Sequence, residues 1–265
     1  MDRSDRMSQG RNVRVSVDRR VASVLLDRPP LNVMNIVMMD ELHAAIANVA
    51  GRCDFLILRG AGERAFSAGA EISDHARDRV ADMLHAFHRV FLELWRGKMV
   101  TIAAVRGHCL GGGCELATFC DFVVAAESST FAQPEIKLGC FPPVAMVTFP
   151  RLVGMRAALD LILSGRTLSS TEAQRIGLVT RVVPDSQLDH AVASLVDDLH
   201  ALSPSVLAMA RRVLWSSDSF EFERALRSVE DFYLHELMKT HDASEGIRAF
   251  LEKRQPLWRD LATRE

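Results

Sequence analysis

The chain has 265 residues, and 48% of them are hydrophobic, which is ample for a packed interior that needs no disulfide staples. Lys and Arg number 32 against 34 Asp and Glu, so the formal net charge is −2, and neither sign forms a long block. This balance argues against nucleic acid or an acidic membrane as a main partner.

The cysteines and the first residues of the chain bear on its compartment. The five cysteines have spacings that match neither a zinc site nor a dithiol redox motif, so we expect reduced thiols in the cytoplasm. Residues 1–14 are polar and carry both charge signs, without an apolar run typical of a signal peptide or transmembrane helix. We expect a frayed tail on a soluble protein.

The hydrophobic pattern predicts the elements in chain order. Apolar and polar residues largely alternate over 12–27, which predicts a hairpin, and the rigid Pro29-Pro30 segment follows. Strands and helices then alternate as the period changes between two and 3.6. They are a helix at 37–50, a strand at 55–58 ending at Gly60, a helix at 80–95, a strand at 99–105, a helix at 112–118, a strand at 122–126, and helices at 206–215, 220–239 and 242–253.

The repeated order of strand, turn and helix predicts an α/β protein. A doubly wound parallel sheet with a ligand at the strand ends is the usual form of such a pattern. The glycines at 111–113 lack the spacing of a dinucleotide fingerprint, and no P-loop lysine and serine follow them, although a phosphate-cradling loop stays an alternative. We expect a core over 1–203 and a helical region over 204–265 that packs on the core or on a second subunit.

The three glycines open a short apolar helix that carries Glu115. A helix start without side chains offers bare N–H groups to an anion, and Glu115 then lies beside that anion. Its neighbours are mostly apolar, which predicts a buried helix and a specific role for the acid. The alternative is an ordinary first-turn acid that complements the helix dipole and faces water.

A second carboxylate, Glu135, follows Pro134 in the largely apolar segment 131–138. Taken alone, this residue is equally well interpreted as a surface acid at a strand-to-helix corner. Taken with Glu115, it gives two carboxylates in apolar surroundings, which indicates paired acid and base chemistry.

The small residues of segment 66–72 leave the backbone amide of Ala70 uncovered. By itself this segment is interpreted as a turn. If the amides of Ala70 and Gly112 converge on one carbonyl oxygen, they form an oxyanion hole, the strongest single device for stabilising an enolate.

The histidines do not indicate a metal site or a catalytic triad. None of them has a cysteine or a second histidine at a strong ligand spacing, and no G-x-S-x-G elbow is present. His85 and His88 lie three residues apart on a predicted helix, and we expect them to lie on a solvated face.

Several motifs, in order and along nearly the whole chain, resemble the crotonase, or enoyl-CoA hydratase/isomerase, superfamily. They are the segments 28–35, 65–72, 105–121, 131–139, 163–166, 173–183 and 242–258. The resemblance implies a crotonase-like spiral of repeated strand-strand-helix units followed by a C-terminal helical trimerisation region. It also implies a homotrimer or a homohexamer.

The resemblance assigns roles by matching position. Ala70 and Gly112 match the oxyanion-hole amides that hold the thioester carbonyl of a CoA substrate, and Glu115 and Glu135 match the two acids of the hydratases. Arg28, Ala68 and Lys253 are weaker candidates for binding the nucleotide or pantetheine portion of CoA. No metal or redox cofactor is expected, and CoA arrives as part of the substrate.

Possession of both acids favours hydratase activity within the superfamily. One segment departs from the common family pattern, because residues 141–152 carry Phe141, Pro142 and Pro143 where a glycine-rich loop is usual. This segment and the segment 29–34 look most similar to hydratases of cyclohexa-1,5-diene-1-carbonyl-CoA in aromatic compound degradation. The alternatives are a general enoyl-CoA hydratase of fatty-acid or amino-acid catabolism and a non-catalytic relative that binds RNA or protein.

Overall fold

The computed structural model describes residues 10–216 and 221–259. Ten strands run through this part of the chain. They are β1 (Val13–Asp18), β2 (Val21–Leu26), β3 (Phe55–Gly60), β4 (Ala65–Ser67), β5 (Val100–Val105), β6 (His108–Leu110), β7 (Phe122–Ala126), β8 (Thr130–Ala132), β9 (Thr167–Ser169) and β10 (Arg181–Val183).

The strands divide between two sheets. Six of them pair in the order β1-β2-β3-β5-β7-β10, and the short strands pair in the order β4-β6-β8-β9. All neighbours in the larger sheet are parallel except the β1-β2 hairpin, and each new strand joins the same edge in chain order. The chain therefore passes repeatedly from a long strand to a short strand to a helix, which is the expected spiral.

The helices lie between and after these strand pairs. They are α1 (Ile36–Val49), α2 (Val80–Arg96), α3 (Gly112–Thr118), α4 (Pro143–Leu152), α5 (Gly154–Ser164), α6 (Ser170–Arg175), α7 (Leu188–His200), α8 (Pro204–Ser216), α9 (Phe222–His235) and α10 (His241–Leu251). Short 3₁₀ turns cover Ile72–His75, Pro134–Leu138, Asp185–Gln187 and Leu237–Lys239. Helix α1 is capped by Asn35, whose side chain accepts a hydrogen bond from Met38 N at 3.0 Å.

The α/β class, the predicted hairpin and the spiral are confirmed, whereas the doubly wound sheet is wrong. Alternation of long strands and helices does not distinguish the two arrangements, because the second sheet is built from strands of only three residues. The helix predicted at 220–239 ends at His235 and is followed by a separate 3₁₀ turn. Residue 220 lies outside the described residues.

The predicted frayed tail at 1–14 is only partly within the described residues, since 1–9 lie outside them. Residues 10–13 are ordered by contacts with α1, because Glu41 Oε2 accepts hydrogen bonds from Asn12 N at 2.8 Å and Val13 N at 3.1 Å. The prediction is wrong for these residues, because the Glu41 side chain on α1 accepts hydrogen bonds from their backbone amides.

The expected solvated face for His85 and His88 is wrong for His88. His85 is exposed, but His88 is 3% exposed and its Nδ1 contacts Glu230 Oε2. Helix α9 packs across α2 and covers the face that carries His88. A helical pattern within α2 carries no information about that later helix.

Candidate active site

The glycine turn between β6 and α3 brings backbone close to two other segments. Gly111 has φ +52°, and a Cβ built on it would lie 2.5 Å from Glu135 Oε1. A Cβ on Gly113 would lie 2.4 Å from the carbonyl oxygen of Ser67 at the end of β4. A side chain at Gly113 would push β4 away, and one at Gly111 would be strained by the positive φ and would displace the Glu135 carboxyl.

The amides of Ala70 and Gly112 lie close together. Ala70 N is 3.5 Å from the position of a Cβ built on Gly112, and Gly112 N is 3.3 Å from that of Gly69. Neither amide donates a hydrogen bond within residues 10–216 and 221–259. Both residues line one small cavity of about 20 Å³, so the structure brings together the two donors that the sequence analysis paired.

Glu115 lies on α3, whose seven residues are all buried. The residue is 2% exposed, and its Oε1 accepts a hydrogen bond from Ala145 N at 2.8 Å. Burial raises the pKa of the Glu115 carboxyl to about 7, although amide donors from Ala145 and Val144 oppose the rise. The interpretation of Glu115 as a solvated first-turn acid is therefore wrong.

Glu135 lies in the 3₁₀ turn Pro134–Leu138, and its carboxyl group enters the same cavity. Its Oε2 is buried and has no hydrogen-bond partner among the described residues. Burial raises the pKa of Glu135 well above its usual value, and the negative charge of Glu115 raises it further. The two carboxyls thus share a cavity but differ in their hydrogen-bond support.

The rest of the cavity wall is mainly apolar. Helix α2 contributes Met83, Leu84 and Phe87, and the segment after Glu135 contributes the residues 141–143. Tyr233 of α9 and His75 complete the wall. Burial lowers the pKa of His75, so this ring is neutral near pH 7. An apolar cavity with a few convergent polar groups is typical of a small-molecule site.

The three candidates for CoA binding lie outside this wall. Arg28 Nη1 donates hydrogen bonds to the carbonyl oxygen of Val33 at 2.7 Å and to Glu71 Oε2 at 3.0 Å. Glu71 directly follows Ala70 in the chain. Ala68 is partly exposed two residues before Ala70, and Lys253 is exposed after α10. The roles of these three residues in CoA binding stay predictions.

Sequence reasoning missed Phe87 and Tyr233 as wall residues. Phe87 is one of several apolar residues on α2, and nothing in its spacing marks it. Tyr233 carried a weak signal, because it is the only tyrosine in the chain. Phe141 was marked by the departure from the family's glycine-rich loop, and the structure places it in the wall.

Two further observations concern metals and membranes. In the described part of the chain, no group of three or more His, Cys, Asp or Glu side chains is placed to hold a metal ion. No described helix combines the length and the apolar character needed to cross a membrane.

Comparison with known proteins finds relatives that share one family description. Residues 17–261 match the family described as enoyl-CoA hydratase/isomerase. The chain is 39% identical over 254 residues to the "Probable enoyl-CoA hydratase echA8" of Mycobacterium bovis, with 91% of this chain and 95% of the relative covered. It is 35% identical over 243 residues to the cyclohexa-1,5-dienecarbonyl-CoA hydratase of Thauera aromatica, with coverage of 91% and 93%.

A solved structure agrees with these sequence relatives. The enoyl-CoA hydratase from Mycobacterium avium subsp. paratuberculosis K-10 superposes with a TM-score of 0.84 at 26% identity. The match covers 94% of this chain and 99% of the other. With a full-length family match, two relatives above 30% identity and the same fold, the chain belongs to the enoyl-CoA hydratase/isomerase family.

Proposed function

We propose that this enzyme is an acyl-CoA hydratase that adds water across the conjugated double bond of an enoyl- or dienoyl-CoA thioester. The observation that carries the proposal is the cavity shared by two free backbone amides and two buried glutamates with different hydrogen-bond support. Conjugate addition needs these two devices, an anion site and a pair of proton-transfer groups.

The amides of Ala70 and Gly112 bind the thioester carbonyl oxygen. Attack at the β-carbon moves electron density onto this oxygen and forms an enolate. Two fixed N–H donors stabilise the developing charge at about 3–4 kcal/mol each, and they need no reorganisation because the glycine turn already holds them.

The two glutamates divide the proton transfers. Glu115 is the stronger acid of the pair, so above pH about 7 it is a carboxylate that takes a proton from water as the oxygen bonds to the β-carbon. Glu135 keeps its proton and delivers it to the α-carbon of the enolate. The proton gained by Glu115 then returns to Glu135, so the enzyme is regenerated and one water is added.

For the acyl group we propose cyclohexa-1,5-diene-1-carbonyl-CoA. The stiff segment Phe141-Pro142-Pro143 in the cavity wall and the relative from Thauera aromatica support this choice. A general enoyl-CoA hydratase of fatty-acid or amino-acid catabolism is the second candidate, which the relative named echA8 supports. A non-catalytic relative that binds RNA or protein would not need the paired acids, and this chain retains both.

We further propose that CoA is held as part of the substrate by Arg28, Ala68 and Lys253, and that no metal or redox cofactor takes part. The addition of water leaves the overall oxidation state of the substrate unchanged, and the oxyanion amides stabilise the negative charge that a Lewis acid would otherwise stabilise. The enzyme is proposed to act in the cytoplasm as a homotrimer or homohexamer.

A parallel assay tests the proposal. The purified protein is incubated with crotonyl-CoA and with cyclohexa-1,5-diene-1-carbonyl-CoA, and the loss of each substrate and the mass of each product are followed. A hydrated product from the cyclic dienoyl-CoA, formed with a higher kcat/KM than the product from crotonyl-CoA, supports the full proposal. Preference for crotonyl-CoA supports the second candidate, and no hydration of either thioester contradicts hydratase activity on these substrates.

A further inference from the structure

One aromatic side chain of the cavity wall comes from the C-terminal helices, residues 204–259. Tyr233 of α9 is 1% exposed and lines the same cavity as Glu115 and Glu135. Burial raises the pKa of its hydroxyl, and the proximity of the Glu135 and Glu115 carboxyls adds to the rise. The proposed reaction uses no group on α9.

The ring of Tyr233 packs against the stiff segment that departs from the family pattern. Its centroid lies 5.0 Å from that of Phe141, and the two planes meet edge to face at 73°. The hydroxyl contacts the Cys140 thiol. Pro142 and Pro143 continue the same wall, and their fixed backbone angles leave this side little freedom to move.

Helix α9 is also fixed on its other side. Glu230, one turn before Tyr233, contacts the buried His88 ring of α2. The residue beside His88 in the chain, Phe87, lines the cavity. This partly buried pair joins the two helices and keeps both aromatic wall residues in place, so displacement of the Tyr233 ring is costly.

We propose that the Tyr233 ring sets the acyl-group specificity by closing the cavity beyond the two glutamates against Phe141. This inference rests on the proposed acyl-CoA site and extends it to the substrate class: compact acyl groups, either short chains or a six-membered ring. A long straight chain meets the packed ring pair. Close-packed walls do not yield to extra methylenes without displacement of side chains.

Substitution of the ring tests the proposal. Tyr233→Leu removes the aromatic wall, and Tyr233→Phe is the matched control that removes only the hydroxyl. The ratio of kcat/KM for trans-2-decenoyl-CoA to that for crotonyl-CoA is expected to rise about tenfold in the Leu variant and to stay within about twofold in the Phe variant. An unchanged ratio in a Leu variant with native circular dichroism would overturn the proposal.

Binding without turnover separates this proposal from the hydratase proposal. Titration calorimetry with butyryl-CoA and decanoyl-CoA is expected to show that the wild type binds the longer chain more weakly. Phe141→Leu removes the ring that packs against Tyr233 and is expected to reduce this difference in affinity. Equal affinities of the wild type overturn the role of Tyr233 even when hydration is observed. A clear preference for butyryl-CoA supports it even when neither enoyl-CoA is hydrated.

Discussion

At the scale of single residues, hydrogen bonding distinguishes two carboxyls that the sequence presents as equivalent. Both are buried in one cavity, but Glu115 accepts a hydrogen bond from the Ala145 amide and Glu135 Oε2 has no partner among the described residues. Donors to a carboxylate favour its charged form, whereas burial alone favours the neutral form. In the proposed mechanism, this difference gives the base role to Glu115 and the acid role to Glu135.

Glu135→Gln tests the acid role. The amide keeps the size of the side chain but cannot deliver a proton, so we expect kcat for hydration to fall about 10²–10⁴-fold while the Kd for butyryl-CoA changes little. Glu127→Gln, at an exposed position, is the control and should keep wild-type kinetics. Unchanged turnover in the Glu135 variant would remove this residue from the mechanism.

The pH dependence of the reaction tests the base role. The pKa of Glu115 is raised to about 7, so its carboxylate is lost as the pH falls through 7. We expect kcat/KM for hydration to fall about tenfold per pH unit below that point and to level off above it. A flat profile between pH 5.5 and 8 would contradict the assignment, and Glu115→Gln should abolish the rising limb.

At the scale of elements, one buried carboxylate anchors α8 to the core. Asp121 Oδ2 accepts hydrogen bonds from Thr101 N at 2.8 Å and Arg211 Nε at 2.6 Å, and its Oδ1 accepts one from Trp215 Nε1 at 3.0 Å. Arg211 also donates to backbone carbonyls at Gly97 and Leu94. The Asp121–Arg211 pair thus joins α8 to the end of α2 and to β5.

Asp121→Asn tests this anchor. The amide leaves the buried guanidinium without its charged partner, so we expect the free energy of unfolding to fall by about 3–5 kcal/mol in urea at pH 7. Asp189→Asn is the control, because Asp189 pairs with Arg59 at the surface and should cost less than about 1 kcal/mol. Equal losses in the two variants would show that the buried position of the Asp121 pair is not decisive.

At the scale of the whole molecule, two helices present apolar stripes outward. Met155, Leu159 and Leu163 are exposed at helical spacing on α5, and Val206, Met209 and Val213 are exposed on α8. Stripes of this kind are typical of subunit interfaces. They give the proposed trimer or hexamer a physical basis.

Light scattering during size-exclusion chromatography tests the assembly. The wild type is expected to elute with the mass of three or six copies of the 29.4-kDa chain. Met209→Glu places a charge in one stripe and should lower the mass, while Val37→Glu, at an exposed position on α1, should not. A wild type with the mass of one chain would contradict the proposal.

The sequence by itself determined part of the local structure and the residue types of the candidate site. The bounds of α3 and β7 agree with their predictions, since a glycine turn and a short apolar run are local signals. The motifs around Ala70, Gly112, Glu115 and Glu135 carried the family resemblance without any contact information.

Only the tertiary structure decided what depends on residues far apart in the chain. Strands of three residues form because neighbours in the second sheet pair with them, and their own sequence has no period long enough to mark them. The burial of His88, the place of Tyr233 in the cavity and the different pKa values of the two glutamates likewise arise from packing. Burial and hydrogen-bond partners are properties of the folded chain, and no local pattern encodes them.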